Sequence, residues 1–192
     1  MPDLTIIIAS TRPERAGLPI ATWIDERARA HGAFDVRLVD LAIVDLPMLD
    51  EPHHPSLRRY VHRHTKAWSA TIDAADAFVF VTPEYNHGYP APLKNAIDYL
   101  HQEWSDKPVG FVSYGGVAAG TRAVEQLKQV VCAVGMLPIV DAVHIPFHTQ
   151  FLQGGRLRPN EIMEQAAFSL LDALVTADAV LRPQRVGVQR AA

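Results

Sequence analysis

The run Pro83-Glu84-Tyr85-Asn86-His87-Gly88-Tyr89-Pro90, with Leu93-Lys94-Asn95 close behind, puts an aromatic ring, amides and turn formers in one short loop. It follows Phe78-Val79-Phe80-Val81-Thr82, an apolar segment that reads as a buried strand. Open α/β sheets bind ligands outside the carboxyl ends of their strands, at a topological switch point. The composition suits a flat, polar-edged ligand better than a plain chain reversal. Asn86 and backbone amides can pair with such an edge, and Tyr85 can pack beside the ring. Other readings stand beside this one: Glu84 as a solvated carboxylate, Asn86 as a residue tolerating a left-handed turn, and His87 as a surface hydrogen-bonding group. Nothing in the spacing sets His87 against a substrate proton.

Two further loops share this character. Ala9-Ser10-Thr11-Arg12-Pro13-Glu14-Arg15-Ala16-Gly17 joins the end of the first strand to a helix. Helix N-termini present unpaired N–H groups and the positive end of a dipole, which favours phosphate. Ser10 and Thr11 add hydroxyls, and Arg12 and Arg15 add planar forks that match phosphate oxygens. The loop is neither a Walker loop nor a G-x-G-x-x-G fingerprint, and it also reads as a helix cap with two solvated arginines. The third loop, Ser113-Tyr114-Gly115-Gly116-Val117-Ala118-Ala119-Gly120-Thr121, carries paired glycines that admit a close ligand approach or positive φ.

Strand and helix patterns alternate along the whole chain and must position these loops. Strands are expected at 4–8, 34–39, 78–82, 109–112 and 137–143, and helices at 17–30, 56–74, 91–103, 118–134 and 159–181. Five strands alternating with helices predict a parallel sheet covered on both faces. With right-handed crossovers, the expected architecture is flavodoxin-like: a doubly wound α/β fold of strand order 2-1-3-4-5. Its switch point lies between the first and third strands, where the first two polar loops emerge. Residues 1–182 are expected to form a single domain, and 183–192, which lack apolar periodicity, a mobile tail.

The 192 residues suffice for one full core. A net charge of −3 and a pI near 6.3 give no basic footprint for nucleic acid. No apolar run approaches the roughly 20 residues that span a bilayer. Residues 1–4 lead straight into a strand pattern, which predicts no signal peptide. A lone cysteine, Cys132, excludes internal disulfides and fits a reducing cytoplasm. It is expected to be a small buried hydrophobe on its helix. His53, His54, His62 and His64, with Arg58, Arg59 and Arg63, read as a solvated surface flanking the cleft.

Taken together, Ser10-Thr11-Arg12-Pro13-x-Arg15, Pro83-Glu84-Tyr85-Asn86-His87-Gly88-x-Pro90 with Leu93-Lys94-Asn95-Ala96-Ile97-Asp98, and Ser113-Tyr114-Gly115-Gly116 resemble the NADPH-dependent FMN reductase family, which includes quinone, azo-dye and chromate reductases. The resemblance runs from the first strand to about residue 145. It implies an FMN phosphate at Ser10, Arg12, Gly17 and Leu18, and an isoalloxazine against Pro83, Glu84, Tyr85, Asn86 and His87 and against Ser113, Tyr114, Gly115 and Gly116. It also implies a homodimer or homotetramer built largely through the helices after the third and fourth strands. The sequence departs from the pattern at Ala9 and Ala119, where members carry glycine; each change could tighten its loop. The activity expected is FMN-dependent oxidation of NADPH or NADH, with hydride passed to a small acceptor. No side-chain acid or base is required, because the cofactor carries the chemistry. A flavodoxin-type carrier would be strongly acidic for docking, unlike this chain. A flavin-free module would not need the intact loops.

Overall fold

Alternate residues of a strand point to opposite faces of its sheet, and the first strand is apolar on both. In β1 (Asp3–Ile8) Leu4, Ile6 and Ile8 face one side and Ile7 the other, all fully buried. The computed structural model describes residues 1–189, with side chains through residue 185. β1 is flanked by β2 (Asp35–Asp40) and β3 (Ala77–Pro83), and β4 (Pro108–Tyr114) and β5 (Leu137–Ile145) complete the sheet. All the pairings are parallel and the order is β2-β1-β3-β4-β5. This is the doubly wound, flavodoxin-like arrangement that the alternating pattern predicts. β3 and β4 are buried along their whole length, as central strands covered on both faces must be.

One face carries α1 (Gly17–His31) and α6 (Glu161–Gln189), which pack Ile20, Ile24, Leu170 and Leu174 onto Ile6, Val79 and Val112. The other carries α3 (Arg63–Asp73), α4 (Ala91–Asp98) and α5 (Thr121–Ala133), which pack Trp68, Ile97 and Leu127 onto Ile7, Phe80 and Phe111. Trp104, fully buried, packs at a tilt against Phe78 with ring centres 5.1 Å apart and donates its indole N–H to Ile97 O at 3.1 Å. No helix among the described residues is long and apolar enough to cross a membrane.

Several boundaries differ from the sequence expectation, each for a local reason. The helix expected over 56–74 is a 3-10 turn, Pro55–Leu57, followed by α3. Glu51 accepts hydrogen bonds from the N–H groups of Val61 (2.8 Å) and His62 (3.0 Å), which fixes the start of α3 from a distant loop. α4 stops at Asp98, and Gln102–Trp104 is a separate 3-10 turn. That turn buries Glu103 completely, where its carboxylate accepts from Tyr60 (2.9 Å) and Ser69 (2.7 Å). α6 continues past Leu181 and through Pro183. Arg182 and Arg185 there pair with Asp178 and Asp76, and Arg185 also donates to Asp106 O at 2.8 Å, so long-range ion pairs hold helix where local pattern ends it. Residues 190–192 of the expected tail lie outside the described residues. Cys132 is exposed rather than buried. The inner face of α5 is Val124, Leu127 and Val131, and the residue after Val131 turns about 100° away from it.

Two elements have no counterpart in the sequence expectation. A short helix, α2 (Leu41–Val44), is capped by the Asp40 carboxylate, which accepts from Ala42 N at 3.0 Å. A two-stranded hairpin pairs β6 (Leu152–Gln153) with β7 (Arg156–Leu157). Its turn is Gly154-Gly155, both at positive φ (56° and 74°), the conformation a two-residue type I′ turn requires.

Candidate active site

The loops after β1, β3 and β4 leave the same edge of the sheet because the strands run parallel. They enclose a cleft of about 640 Å³ with residues from the segment after β5 and the β6–β7 hairpin. That is ample for a cofactor-sized ligand. Arg12, Arg15, Pro83, Glu84, Tyr85, Tyr114, Gly115 and Gly116 line it. Ser10, Gly17, Leu18, Asn86, His87 and Ser113 do not line it, and each has another place.

Ser10 is fully buried behind Tyr85, its hydroxyl 2.6 Å from that of Tyr85. Arg12 is exposed, has no acidic partner among the described residues, and lies 5.8 Å over the Tyr85 ring. Arg15 is already committed: it pairs with Asp40 and also donates to Arg12 O at 3.4 Å. Its Nε, however, is buried and has no partner. α1 begins without a side-chain cap, and among the described residues no hydrogen bond satisfies the backbone N–H groups of 10–12 and 14–18. An orphaned guanidinium N–H, a free guanidinium and a run of open amides form a cradle for an anion. Gly17 sits beneath the Tyr114 hydroxyl, where a Cβ would lie 2.8 Å from that oxygen. Leu18 is 45% exposed and lines a neighbouring cavity instead.

The second loop is a tight hairpin. Tyr85 and Gly88 exchange backbone bonds of 2.8 and 3.0 Å, with Asn86 (φ 51°) and His87 (φ 69°) at its tip. Both φ values are positive, as a type I′ turn demands. Asn86 and His87 are therefore exposed at the tip, and Tyr85 is the residue presented to the cleft. Gln126 of α5 holds the tip through a 2.9 Å bond to His87 O. Glu84 binds the N-terminus of α5: it accepts from Arg122 N at 3.2 Å and Arg122 Nε at 2.5 Å. Its carboxylate neutralises a helix N-terminus rather than facing solvent.

The third loop is shaped from beneath. Ser113 is fully buried and donates to Ala119 O at 2.7 Å. Its single proton is used there, so the His144 Nδ1–H, 2.6 Å away, donates to Ser113 Oγ. Burial holds His144 below its ordinary value of 6.5, and the Lys128 charge adds to this. A histidine kept neutral by the fold stabilises above its unfolded value, and that contribution is lost as pH falls through the lower folded value. The unfolding free energy is therefore expected to fall more steeply from pH 7 to pH 5 in the wild type than in His144→Gln. Parallel profiles from urea titrations at each pH would remove His144 from this role. Ala119 has φ +53°, a left-handed conformation that costs an L-residue about 1 kcal/mol. Ala119→Gly is expected to raise the unfolding free energy by about that amount, and a lower urea midpoint would contradict the strain. Burial, then the proximity of Tyr85, push the Tyr114 phenol far above its ordinary value, so it stays protonated.

Sequence reasoning missed the wall opposite. His148 donates its backbone N–H to Gly115 O at 3.4 Å, places Nδ1 3.0 Å from the same oxygen, and packs edge-on to Tyr114 at 5.1 Å. Thr149, Leu152 and Gly155 also line the cleft. The available signals were the position of these residues beyond the carboxyl end of β5 and the Gly154-Gly155 turn. His62 and His64 stack on each other at 5.2 Å beside Asp50, and neither lines the cleft.

The model of the NADPH-dependent FMN reductase family matches residues 2–150. The chain is 45% identical over 149 residues to an NAD(P)H-dependent FMN reductase of Schizosaccharomyces pombe, covering 76% of this chain and 74% of that one. It is 36% identical over 156 residues to an NAD(P)H-dependent FMN reductase of Saccharomyces cerevisiae, covering 75% and 81%. Among solved structures, the flavoenzyme NAD(P)H:(acceptor) oxidoreductase of Paracoccus denitrificans superimposes with a TM-score of 0.75 at 23% identity, covering 94% of this chain and 99% of that one. A flavodoxin of Streptococcus pneumoniae shares the fold at a TM-score of 0.58, with 15% identity and coverage of 90% and 97%. With a family match that spans every strand of the sheet, the chain belongs to the NADPH-dependent FMN reductase family.

Proposed function

We propose that this protein is an FMN-dependent NAD(P)H oxidoreductase acting on a small acceptor: a quinone, azo compound, metal oxyanion or free flavin. The observation that carries the reading is the set of unpaired donors at the switch point, namely Arg12, Arg15 Nε and the open amides of the 10–18 loop. These groups and Ser10 would hold the FMN phosphate. Tyr85, Tyr114 and the Gly115-Gly116 backbone would flank the ring system. When bound, FMN would supply the hydride-transfer chemistry between NADPH and the acceptor, at N5 and in a ping-pong cycle. The protein orients the partners and shields them from water. Tyr114, kept protonated by burial, can donate but adds no charge. Glu84 lines the cleft but is paired with Arg122, which offsets its negative charge there.

We further propose a cytoplasmic homodimer or homotetramer in which α4 and α5 form much of the contact. Met48 and Leu49 are exposed above α4 (76% and 41%), anchored there by Asn95, and would be covered by a second subunit. Sedimentation velocity tests this, and a monomer at micromolar concentration would refute it. For the activity, visible absorbance after FMN loading and desalting, followed by anaerobic NADPH, is decisive. Retained flavin that bleaches within seconds supports the reductase; retained flavin that NADPH leaves yellow indicates an electron carrier.

A further inference from the structure

Beside the cleft lies a second cavity of about 460 Å³, between α1 and the β6–β7 hairpin. The two share a rim, since Pro19 and Gly155 line both. The floor of the second is apolar, from Leu18, Trp23 and Leu157, and Arg27, Arg156 and Arg158 surround it. Arg156 and Arg158 are two apart on an extended segment and share a face, while Leu157 between them is buried. Arg27 reaches Glu164 at 3.4 Å, whereas Arg156 and Arg158 make no ion pair among the described residues. Glu26 is the one acidic residue on the wall.

The position matters more than the charge alone. Leu18 ends the loop that would hold the FMN phosphate and begins the floor of this second cavity. A group esterified to that phosphate would leave the cleft at Pro19 and enter the groove. We infer that the groove is a subsite for the adenosine monophosphate half of FAD, so that the protein accepts FAD as well as FMN. The second phosphate would meet Arg156 and Arg158, whose forks suit phosphate oxygens and whose planes can stack on adenine. Leu18 and Pro19 offer the base an apolar surface. FMN ends before the groove and would not touch these arginines.

This inference rests on the FMN assignment above, and the test separates the two. Dissociation constants for FMN and FAD are measured by quenching of flavin fluorescence in the wild type and in the Arg156→Ala/Arg158→Ala variant. In the wild type FAD should bind at least as tightly as FMN. The variant should lose FAD affinity about 10- to 100-fold, the worth of one or two charge-assisted bonds, while FMN affinity shifts less than twofold. A chain that takes FMN yet refuses FAD overturns the inference alone, as does an equal loss for both flavins. A rise in KM for NADPH with FAD affinity unchanged also overturns it, by assigning the groove to the donor's adenosine. A chain that takes neither flavin overturns the FMN reading as well.

Discussion

Replacing Arg12 by alanine is expected to weaken FMN binding about 10- to 100-fold while leaving the melting temperature of the apoprotein within about 1 °C. Charge-assisted hydrogen bonds contribute about 1.5–3 kcal/mol each when one partner is ionised, and 1.4 kcal/mol is tenfold in affinity. Arg12 has no ion pair among the described residues and is exposed, so the apoprotein loses only its contact with the Tyr85 ring. Arg15 behaves differently. Its pairing with Asp40 ties the loop to the end of β2, so Arg15→Ala should lower stability and affinity together. Arg12→Lys keeps the charge but not the fork, and should fall between wild type and alanine. FMN titration with thermal melts of each apoprotein checks all three. Unchanged affinity in Arg12→Ala would remove the phosphate from this loop.

Gly120→Ala is expected to destabilise the protein by about 3 kcal/mol and to abolish retention of flavin. Gly120 lies at φ +86°, where a Cβ would come within 2.7 Å of Ser113 Cβ and 2.9 Å of Tyr114 N. Left-handed strain contributes about 1–2 kcal/mol and the forced displacement of packed atoms about 1–3 kcal/mol. The atoms in the way are strand backbone and a buried serine, not the end of a flexible side chain. Relief must therefore come from moving Ser113 and Tyr114, which support one wall of the cleft. Urea unfolding reads the first effect and absorbance after desalting reads the second. A variant with wild-type stability would show that the loop after β4 yields more easily than its contacts indicate.

The strands and their order were legible because they follow from local rules. Continuous apolar runs such as 78–82 mark strands buried on both faces, and right-handed crossovers leave few ways to order five of them. The three loops that line the cleft were legible for the same reason, since parallel strands deliver their carboxyl ends to one edge. The identity of the residues facing the ligand was less so. Asn86 and His87 read as contacts by type, yet a type I′ turn puts both at the tip and Tyr85 at the wall. Arg12 and Arg15 look equivalent in sequence; only Asp40, at the end of a neighbouring strand, distinguishes them. The wall formed by His148 and the hairpin was missed because its contacts reach back more than 30 residues to Gly115 and Tyr114. By itself, the sequence determined the doubly wound sheet, the edge that carries the site and the family, since hydrophobic period and loop chemistry act over a few residues. Only the tertiary structure decided which donors remain free, which carboxylates are neutralised and where a second cavity joins the first, because pairing and desolvation depend on atoms that the chain brings together from distant positions.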